Sequence, residues 1–85
     1  MSTTPADTPV PTVEDVREAV AAALRLPAEE IADDTDLAGL GLTSLQIMRL
    51  SGRWRRAGLP VDFATLATEP TVLAWARHLA AAPAA

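Results

Sequence analysis

The sequence contains no cysteine, tyrosine or lysine, and its aromatic residues are limited to two tryptophans and one phenylalanine. The absence of cysteine excludes disulfides, thiolate metal sites and cysteine nucleophiles. Because aromatic residues are scarce in a chain that is 49% hydrophobic, the core must be built from Leu, Val, Ile and Ala. Ala and Leu favour helix over strand, so this composition predicts an all-α fold.

Also absent are a long apolar run and a dense basic surface. No run approaches the roughly 20 apolar residues of a membrane span, and the N-terminus lacks the pattern of a signal peptide. We therefore expect a cytoplasmic protein with no membrane partner. The net charge of -4 argues against a nucleic-acid partner. A chain of 85 residues has little room for a catalytic cleft, so we expect a monomeric domain that is not an enzyme.

Composition divides the chain into three parts. Residues 1–11 combine Pro, Thr and small polar residues without periodicity, which predicts a disordered N-terminal tail. Residues 81–85 are predicted to be a flexible C-terminus, and residues 12–80 form the folded domain. The Met1 start and these flanks favour a free-standing protein over an excised domain.

The first half of the domain predicts one helix and a long loop. The helix starts at Thr12, which makes a capping pattern with Asp15, and Pro27 ends it. Residues 26–43 then form a loop long enough to be functional. Five single apolar residues are expected to hold this loop on the core: Leu26, Ile31, Leu37, Leu40 and Leu42.

The second half predicts three further helices, which makes a four-helix bundle of three longer helices and one short one. The second helix begins at Ser44, a good N-cap, and continues to about Ala57. Gly52 lies inside this helix and is expected to permit close packing. A short helix follows at Asp62–Leu66, and Thr71 caps the last helix. The apolar spacing places these residues on one face of that helix: Val72, Trp75, Ala76 and Leu79.

Three other groupings of residues resemble functional sites but fit them poorly. Asp34 and Asp36 are spaced like the first two ligands of an EF-hand calcium loop. The positions of two further required ligands are occupied by Ala38 and Leu45, which favours a solvated acidic loop. Ser44 and the single histidine, His78, lack the glycine-flanked elbow of a hydrolase, and one histidine without cysteine cannot hold zinc. The arginines are interpreted as a solvated helix face, with an acidic partner surface or coenzyme A phosphates as alternatives: Arg49, Arg53, Arg55 and Arg56.

Ser44 follows a glycine-containing approach, Gly39 to Leu42, and lies at a predicted helix start. Free N–H groups and the helix dipole favour an anion at such a position, and glycines let another protein approach the backbone. These features are equally typical of a simple N-cap serine. From local chemistry alone, both interpretations stay open.

The stretch from Asp36 to Leu45, DLAGLGLTSL, resembles the Leu-Gly-x-Asp-Ser-Leu hallmark of phosphopantetheine-binding carrier domains. The resemblance covers about residues 12–80. Trp54-Arg55 and the Pro70-Thr71 to Trp75 segment are similar to the aryl carrier domains of nonribosomal peptide and siderophore assembly. One departure is Thr43, where aryl carriers usually have Asp and many peptidyl carriers have His. This change removes a carboxylate that could assist recognition by a transferase.

The resemblance implies a bundle of the acyl carrier type and a 4'-phosphopantetheine arm attached to Ser44. A phosphopantetheinyl transferase would add the arm from coenzyme A, an adenylating ligase would load an aryl or aminoacyl group, and condensation or other acyl-transferring enzymes would receive it. Partner contacts are expected at Leu42, Thr43, Leu45, Met48 and Arg49, with a core position as the alternative for Met48. The alternatives for the function are a carrier of polyketide or fatty-acid units and an unmodified helical interaction module.

Overall fold

A computed structural model of the chain describes residues 10–80. Most of the predicted N-terminal tail and all of the predicted flexible C-terminus lie outside this range. The described part contains no strand and consists of α1 (Val13–Leu24), a 3₁₀ helix (Ala28–Glu30), α2 (Ser44–Arg56), α3 (Phe63–Thr68) and α4 (Val72–Ala80). The predicted all-α bundle of the acyl carrier type, with three longer helices and one short one, is confirmed. No helix between residues 10 and 80 is long and apolar enough to cross a membrane.

α1 begins with the predicted capping arrangement. Thr12 Oγ1 accepts a hydrogen bond from the Asp15 N–H at 3.1 Å, and Asp15 Oδ2 accepts one from the Thr12 N–H at 2.9 Å. The helix ends earlier than Pro27 requires, because Arg25 adopts the left-handed conformation with a φ of 59°. The Arg25 N–H turns back to the last carbonyls of the helix, so the stop comes from this backbone reversal.

The starts of the last two helices differ in how they are capped. Thr71 Oγ1 accepts a hydrogen bond from the Ala74 N–H at 3.1 Å, which confirms Thr71 as the cap of α4. Asp62 occupies the cap position of α3 but makes no capping bond to the backbone; its carboxylate accepts a bond from the Thr65 hydroxyl at 2.9 Å. The Asp62 N–H instead donates to His78 Nε2 at 3.1 Å, so the half-buried histidine links α4 to the start of α3.

A single apolar core joins all four helices. α1 packs against α4 and α2 packs against α3. Trp54 and Trp75 meet edge to face, with ring centroids 6.1 Å apart, and Trp75 Nε1 donates to the Leu66 carbonyl at 2.9 Å. Trp54 is therefore a core residue, as predicted. The buried hydrophobic residues are Val16, Val20, Ala21, Ile31, Leu37, Leu42, Ile47, Leu50, Trp54, Leu59, Val61, Leu66, Val72, Trp75, Ala76 and Leu79.

Three of the five residues predicted to hold the long loop before α2 on the core do so. Leu26 is only half-buried and is not among the residues packed against the core. Ile31, Leu37 and Leu42 are buried, and the Leu37 N–H donates to the Pro70 carbonyl at 2.8 Å. Leu40 is 36% exposed, so its predicted anchoring role is wrong. It lies in a tight turn closed by a bond from the Leu40 N–H to the Leu37 carbonyl, and this turn directs the side chain outward.

Arg17 fastens the first part of the same loop to α1. Its guanidinium donates to the Ile31 carbonyl at 2.6 Å and forms ion pairs with Glu14 and Asp33. Hydrogen bonds to Glu14 and then to Asp33 raise the pKa of Arg17. The path of the loop toward α2 is thus fixed at both its start and its end.

Candidate functional site

The start of α2 is capped by Thr43, so the prediction of Ser44 as the cap is wrong. Thr43 Oγ1 accepts a hydrogen bond from the Gln46 N–H at 3.2 Å, and Gln46 Oε1 accepts one from the Thr43 N–H at 2.9 Å. This reciprocal arrangement is a capping box, and its signal in the sequence is a threonine followed three residues later by Gln. Ser44 is the first residue of the helix proper.

Because the Thr43 side chain caps α2, the Ser44 side chain is not needed as the helix cap. Ser44 is exposed, and no hydrogen bond within residues 10–80 involves its hydroxyl. The N–H groups of Ser44 and Leu45 likewise have no acceptor in this part of the chain, since helical bonding begins with the Ile47 N–H to the Thr43 carbonyl at 3.0 Å. These groups and the positive end of the helix dipole favour an anion beside Ser44.

Two contacts fix the position of this helix start. Gln46 Nε2 donates to the Ala23 carbonyl at 3.0 Å, which ties the first turn of α2 to the end of α1. On the loop side, the Leu42 N–H donates to the Leu37 carbonyl at 3.0 Å. Gly41, which lies between Leu37 and Leu42 in this turn, has a φ of 104°, which glycine adopts without strain. A Cβ atom at Gly41 would have no other atom within 4 Å. The approach to Ser44 is therefore rigid but sterically open.

Exposed apolar side chains are concentrated around Ser44. Of the four large hydrophobic residues exposed within residues 10–80, three lie on this loop or the first turns of α2, namely Leu40, Leu45 and Met48. Leu45 and Met48 are 55% and 54% exposed, so the core alternative for Met48 is wrong. Such a cluster is typical of a surface that contacts another molecule.

The structure separates the five predicted contact residues into two groups. Thr43, Leu45, Met48 and Arg49 are exposed beside or beyond Ser44 on the surface. Leu42 is only 5% exposed and belongs to the core, so it is poorly placed to contact a partner. The inward direction of Leu42 follows from the turn at Gly41, which the sequence pattern does not reveal.

The other candidate groupings do not form sites in the described part of the chain. No group of three His, Asp or Glu residues between residues 10 and 80 is arranged to hold a metal ion. Asp36 Oδ1 accepts a bond from the Ala38 N–H at 3.1 Å, which makes it part of a local turn. His78 accepts its bond from α3 and has no hydrogen-bonding contact with Ser44. The arginines of α2 are all exposed.

A small all-α bundle whose second helix opens with an exposed serine, unbonded within residues 10–80, has the architecture of a carrier domain. Comparison with known families agrees with this class. Residues 14–79 match the family described as "Phosphopantetheine attachment site", and the chain belongs to this family. Domains of this family covalently carry 4'-phosphopantetheine.

Several curated proteins contain a segment similar to this chain. Phenyloxazoline synthase MbtB of Mycolicibacterium paratuberculosis is 50% identical over 68 residues, which cover 80% of this chain and 6% of that protein. Isochorismatase of Bacillus subtilis is 41% identical over 68 residues, covering 80% of this chain and 22% of that protein. Pyochelin synthetase PchE of Pseudomonas aeruginosa is 48% identical over 52 residues, which cover 61% of this chain and 4% of that protein. The chain thus spans a small part of each relative, and no solved structure matches it significantly.

Proposed function

We propose that Ser44 carries the 4'-phosphopantetheine arm and that the chain holds an aryl or aminoacyl group for nonribosomal peptide or hybrid polyketide biosynthesis in the cytoplasm. The main support is that the residues that cap α2 are not the residue whose hydroxyl is exposed at its start. Because Thr43 and Gln46 satisfy the cap, the Ser44 hydroxyl is exposed and unbonded at a position that favours an anion.

The residues around Ser44 fit a phosphodiester. In the attachment step, Ser44 Oγ attacks the phosphorus next to the pantetheine of coenzyme A. The bond to the adenosine bisphosphate breaks, and the hydroxyl proton passes to a base of the transferase. The free N–H groups of Ser44 and Leu45 would stabilise the single negative charge that the phosphodiester on Ser44 retains. When bound, the arm supplies a thiol for the acyl group, and the cysteine-free chain itself offers no competing thiol.

The relatives support the class of cargo. Their names refer to a phenyloxazoline and to pyochelin, and the first of these terms describes a product with a phenyl ring. We infer an adenylating ligase that loads an aryl acid, or an amino acid, and a condensation or related enzyme that receives it. The chain contributes no catalytic group to these steps; it positions the arm and presents the exposed residues Thr43, Leu45, Met48 and Arg49 to its partners.

Mass spectrometry tests the attachment site directly. The protein is incubated with coenzyme A and a broad-specificity phosphopantetheinyl transferase, and the intact mass is measured. We expect a gain of one phosphopantetheine group in the wild type and none in Ser44→Ala. Ser51→Ala is the matched control, because it makes the same change in the same helix at a serine that is only 2% exposed; this variant should still be modified.

A second assay defines the cargo. The modified protein is offered a panel of aryl acids, amino acids and acyl units together with the corresponding activating enzymes. Loading with an aryl or amino acid supports the proposal, whereas loading only with polyketide or fatty-acid units would assign a different pathway. If no transferase modifies the wild type, the chain is an unmodified interaction module and the proposal fails.

A further inference from the structure

The second helix carries a charge that is unlike the rest of the chain. α2 contains four arginines and no acidic residue, although the whole protein has a net charge of -4. Arg49, Arg53 and Arg56 follow one another at spacings of four and three, which places them on one side of the helix. All three are exposed, and both ion pairs within residues 10–80 belong to Arg17. None of the three forms an ion pair in this part of the chain, although Arg53 lines a surface pocket together with Asp15 and Glu18 of α1.

Gly52 lies among these arginines, and neither its backbone conformation nor the packing around it requires a glycine. Its φ is not in the left-handed region, where Gly41 and Gly58 are found. A Cβ added to Gly52 would meet only the Nη1 atom of Arg56, at 3.5 Å, so nothing in the domain packs closely against it. The expectation that Gly52 permits close packing is thus wrong for the isolated domain. Since glycine destabilises a helix interior relative to alanine, its presence needs another explanation.

We propose that the outward side of α2 docks onto an acidic protein surface of the enzymes that act on Ser44, with Gly52 at the point of closest approach. This inference rests on the function proposed above and adds the chemistry of the partner. The α2 docking face consists of Leu45, Met48, Arg49, Gly52, Arg53 and Arg56. Its apolar end lies next to Ser44, and its cationic end extends to Arg56, about 18 Å farther along the helix.

The composition of this face favours a protein over a nucleic acid. Leu45 and Met48 are more than half exposed and need an apolar counterpart, which a phosphate backbone does not provide. The acidic remainder of the chain would repel a polyanion, whereas a protein partner can present carboxylates only where α2 meets it. A partner should accordingly combine an apolar patch near its active-site entrance with carboxylates farther out.

Charge reversal tests the cationic half of the α2 docking face. The variants Arg49→Glu, Arg53→Glu and Arg56→Glu, and the triple variant, are assayed for the initial rate of modification by the transferase. The same variants, fully modified with excess transferase, are then assayed for loading by the ligase identified in the cargo panel. Each single reversal should lower kcat/KM by roughly two- to fivefold and the triple variant by more, because exposed charge pairs are individually weak.

Two controls show whether the effect belongs to this face. Arg77→Glu makes the same charge change at an exposed position on α4 and should leave the rates unchanged. Sodium chloride should slow the wild type and should not slow the triple variant, since salt screens attraction in the first case and repulsion between like charges in the second. Equal rates and equal salt dependence in the wild type and the triple variant would overturn the inference. Arginine-dependent binding of labelled double-stranded DNA at physiological salt would also overturn it.

Substitution of Gly52 separates docking from folding. Gly52→Ala should raise the melting temperature, because alanine favours helix and the added methyl group has room. The same variant should lower kcat/KM, and Gly52→Leu should lower it further, if a partner approaches this point closely. A more stable protein with unchanged rates contradicts the inference.

The two proposals fail in distinguishable ways. A wild type that no transferase modifies removes the carrier function and this inference together. Normal modification at Ser44 with unaffected α2 variants removes only the docking chemistry.

Discussion

α1 and α2 begin with the same pair of capping hydrogen bonds but differ in the charge around them. At α1 the box is closed by the carboxylate of Asp15, and Glu14 adds a second acidic residue in the first turn. At α2 the box is closed by the neutral Gln46, and the first turn has no acidic residue. Since a helix N-terminus attracts negative charge, α1 satisfies this preference with its own side chains, whereas the first turn of α2 has no acidic side chain to do so.

The comparison shows that capping and anion binding are separable properties of a helix start. A helix can have both hydrogen bonds of a capping box while its favourable electrostatic position remains free. α2 also differs from α1 in what precedes it, because a loop anchored in the core leads into the helix. The following variants test these differences, from the largest expected effect to the smallest.

The largest effect is expected from the anchor of that loop. Leu37 is completely buried, and its carbonyl accepts bonds from the Leu40 and Leu42 N–H groups. Leu37→Ala should lower the free energy of unfolding by about 2–5 kcal/mol, because it leaves a cavity in the core. Leu40→Ala removes an equal side chain from the surface of the same loop and should change stability by less than about 0.5 kcal/mol. Urea denaturation measures both, and equal losses would show that the loop is not anchored as described.

The two capping threonines should contribute similarly to stability but not to modification. Thr12→Ala and Thr43→Ala each remove one capping oxygen and should lower the free energy of unfolding by about 1 kcal/mol. Thr43→Ala should also slow modification of Ser44, because the first turn that presents the serine loosens. Thr43→Asp keeps a capping oxygen and should retain stability near that of the wild type. The distinction fails if Thr12→Ala slows modification as much as Thr43→Ala.

Much of the fold follows from the sequence because helix spacing and capping are local. Val72, Trp75, Ala76 and Leu79 are all buried as their spacing indicates, and Thr12 caps α1 as its pattern with Asp15 indicates. Loop residues follow no such period. Whether Leu40 or Leu42 points inward depends on a turn at Gly41 that only the three-dimensional path of the chain determines.

At the site, the proposal of Ser44 as the attachment residue depends on the family resemblance, because local chemistry is compatible with both a cap and a modified serine. Thr43 and Ser44 are adjacent residues of nearly equal capping preference, so position alone does not decide between them. The deciding signal was Gln46, three residues after Thr43, which completes the capping box with Thr43 and not with Ser44. The assignment of Thr43 as the cap is also what leaves the serine hydroxyl free.

The smallest effect concerns the charge difference itself. Gln46→Glu gives α2 the acidic capping box of α1, and a carboxylate then lies in the first turn where the transferred phosphate must enter. We expect modification to slow by roughly two- to fivefold, because like charges at this separation repel weakly in water. Stability should change by no more than about 1 kcal/mol, since a favourable dipole interaction offsets the lost bond to the Ala23 carbonyl.

Asp15→Asn makes the reverse change in α1. It removes the negative charge of the α1 capping box and leaves α2 unchanged. It should lower the free energy of unfolding by about 0.3–1 kcal/mol without affecting modification. Initial rates of mass gain and urea denaturation, measured on both variants, separate the two helix starts. If Gln46→Glu is modified at the wild-type rate, the neutral first turn of α2 has no part in accepting the phosphate. The exposure of Ser44 would then be sufficient by itself.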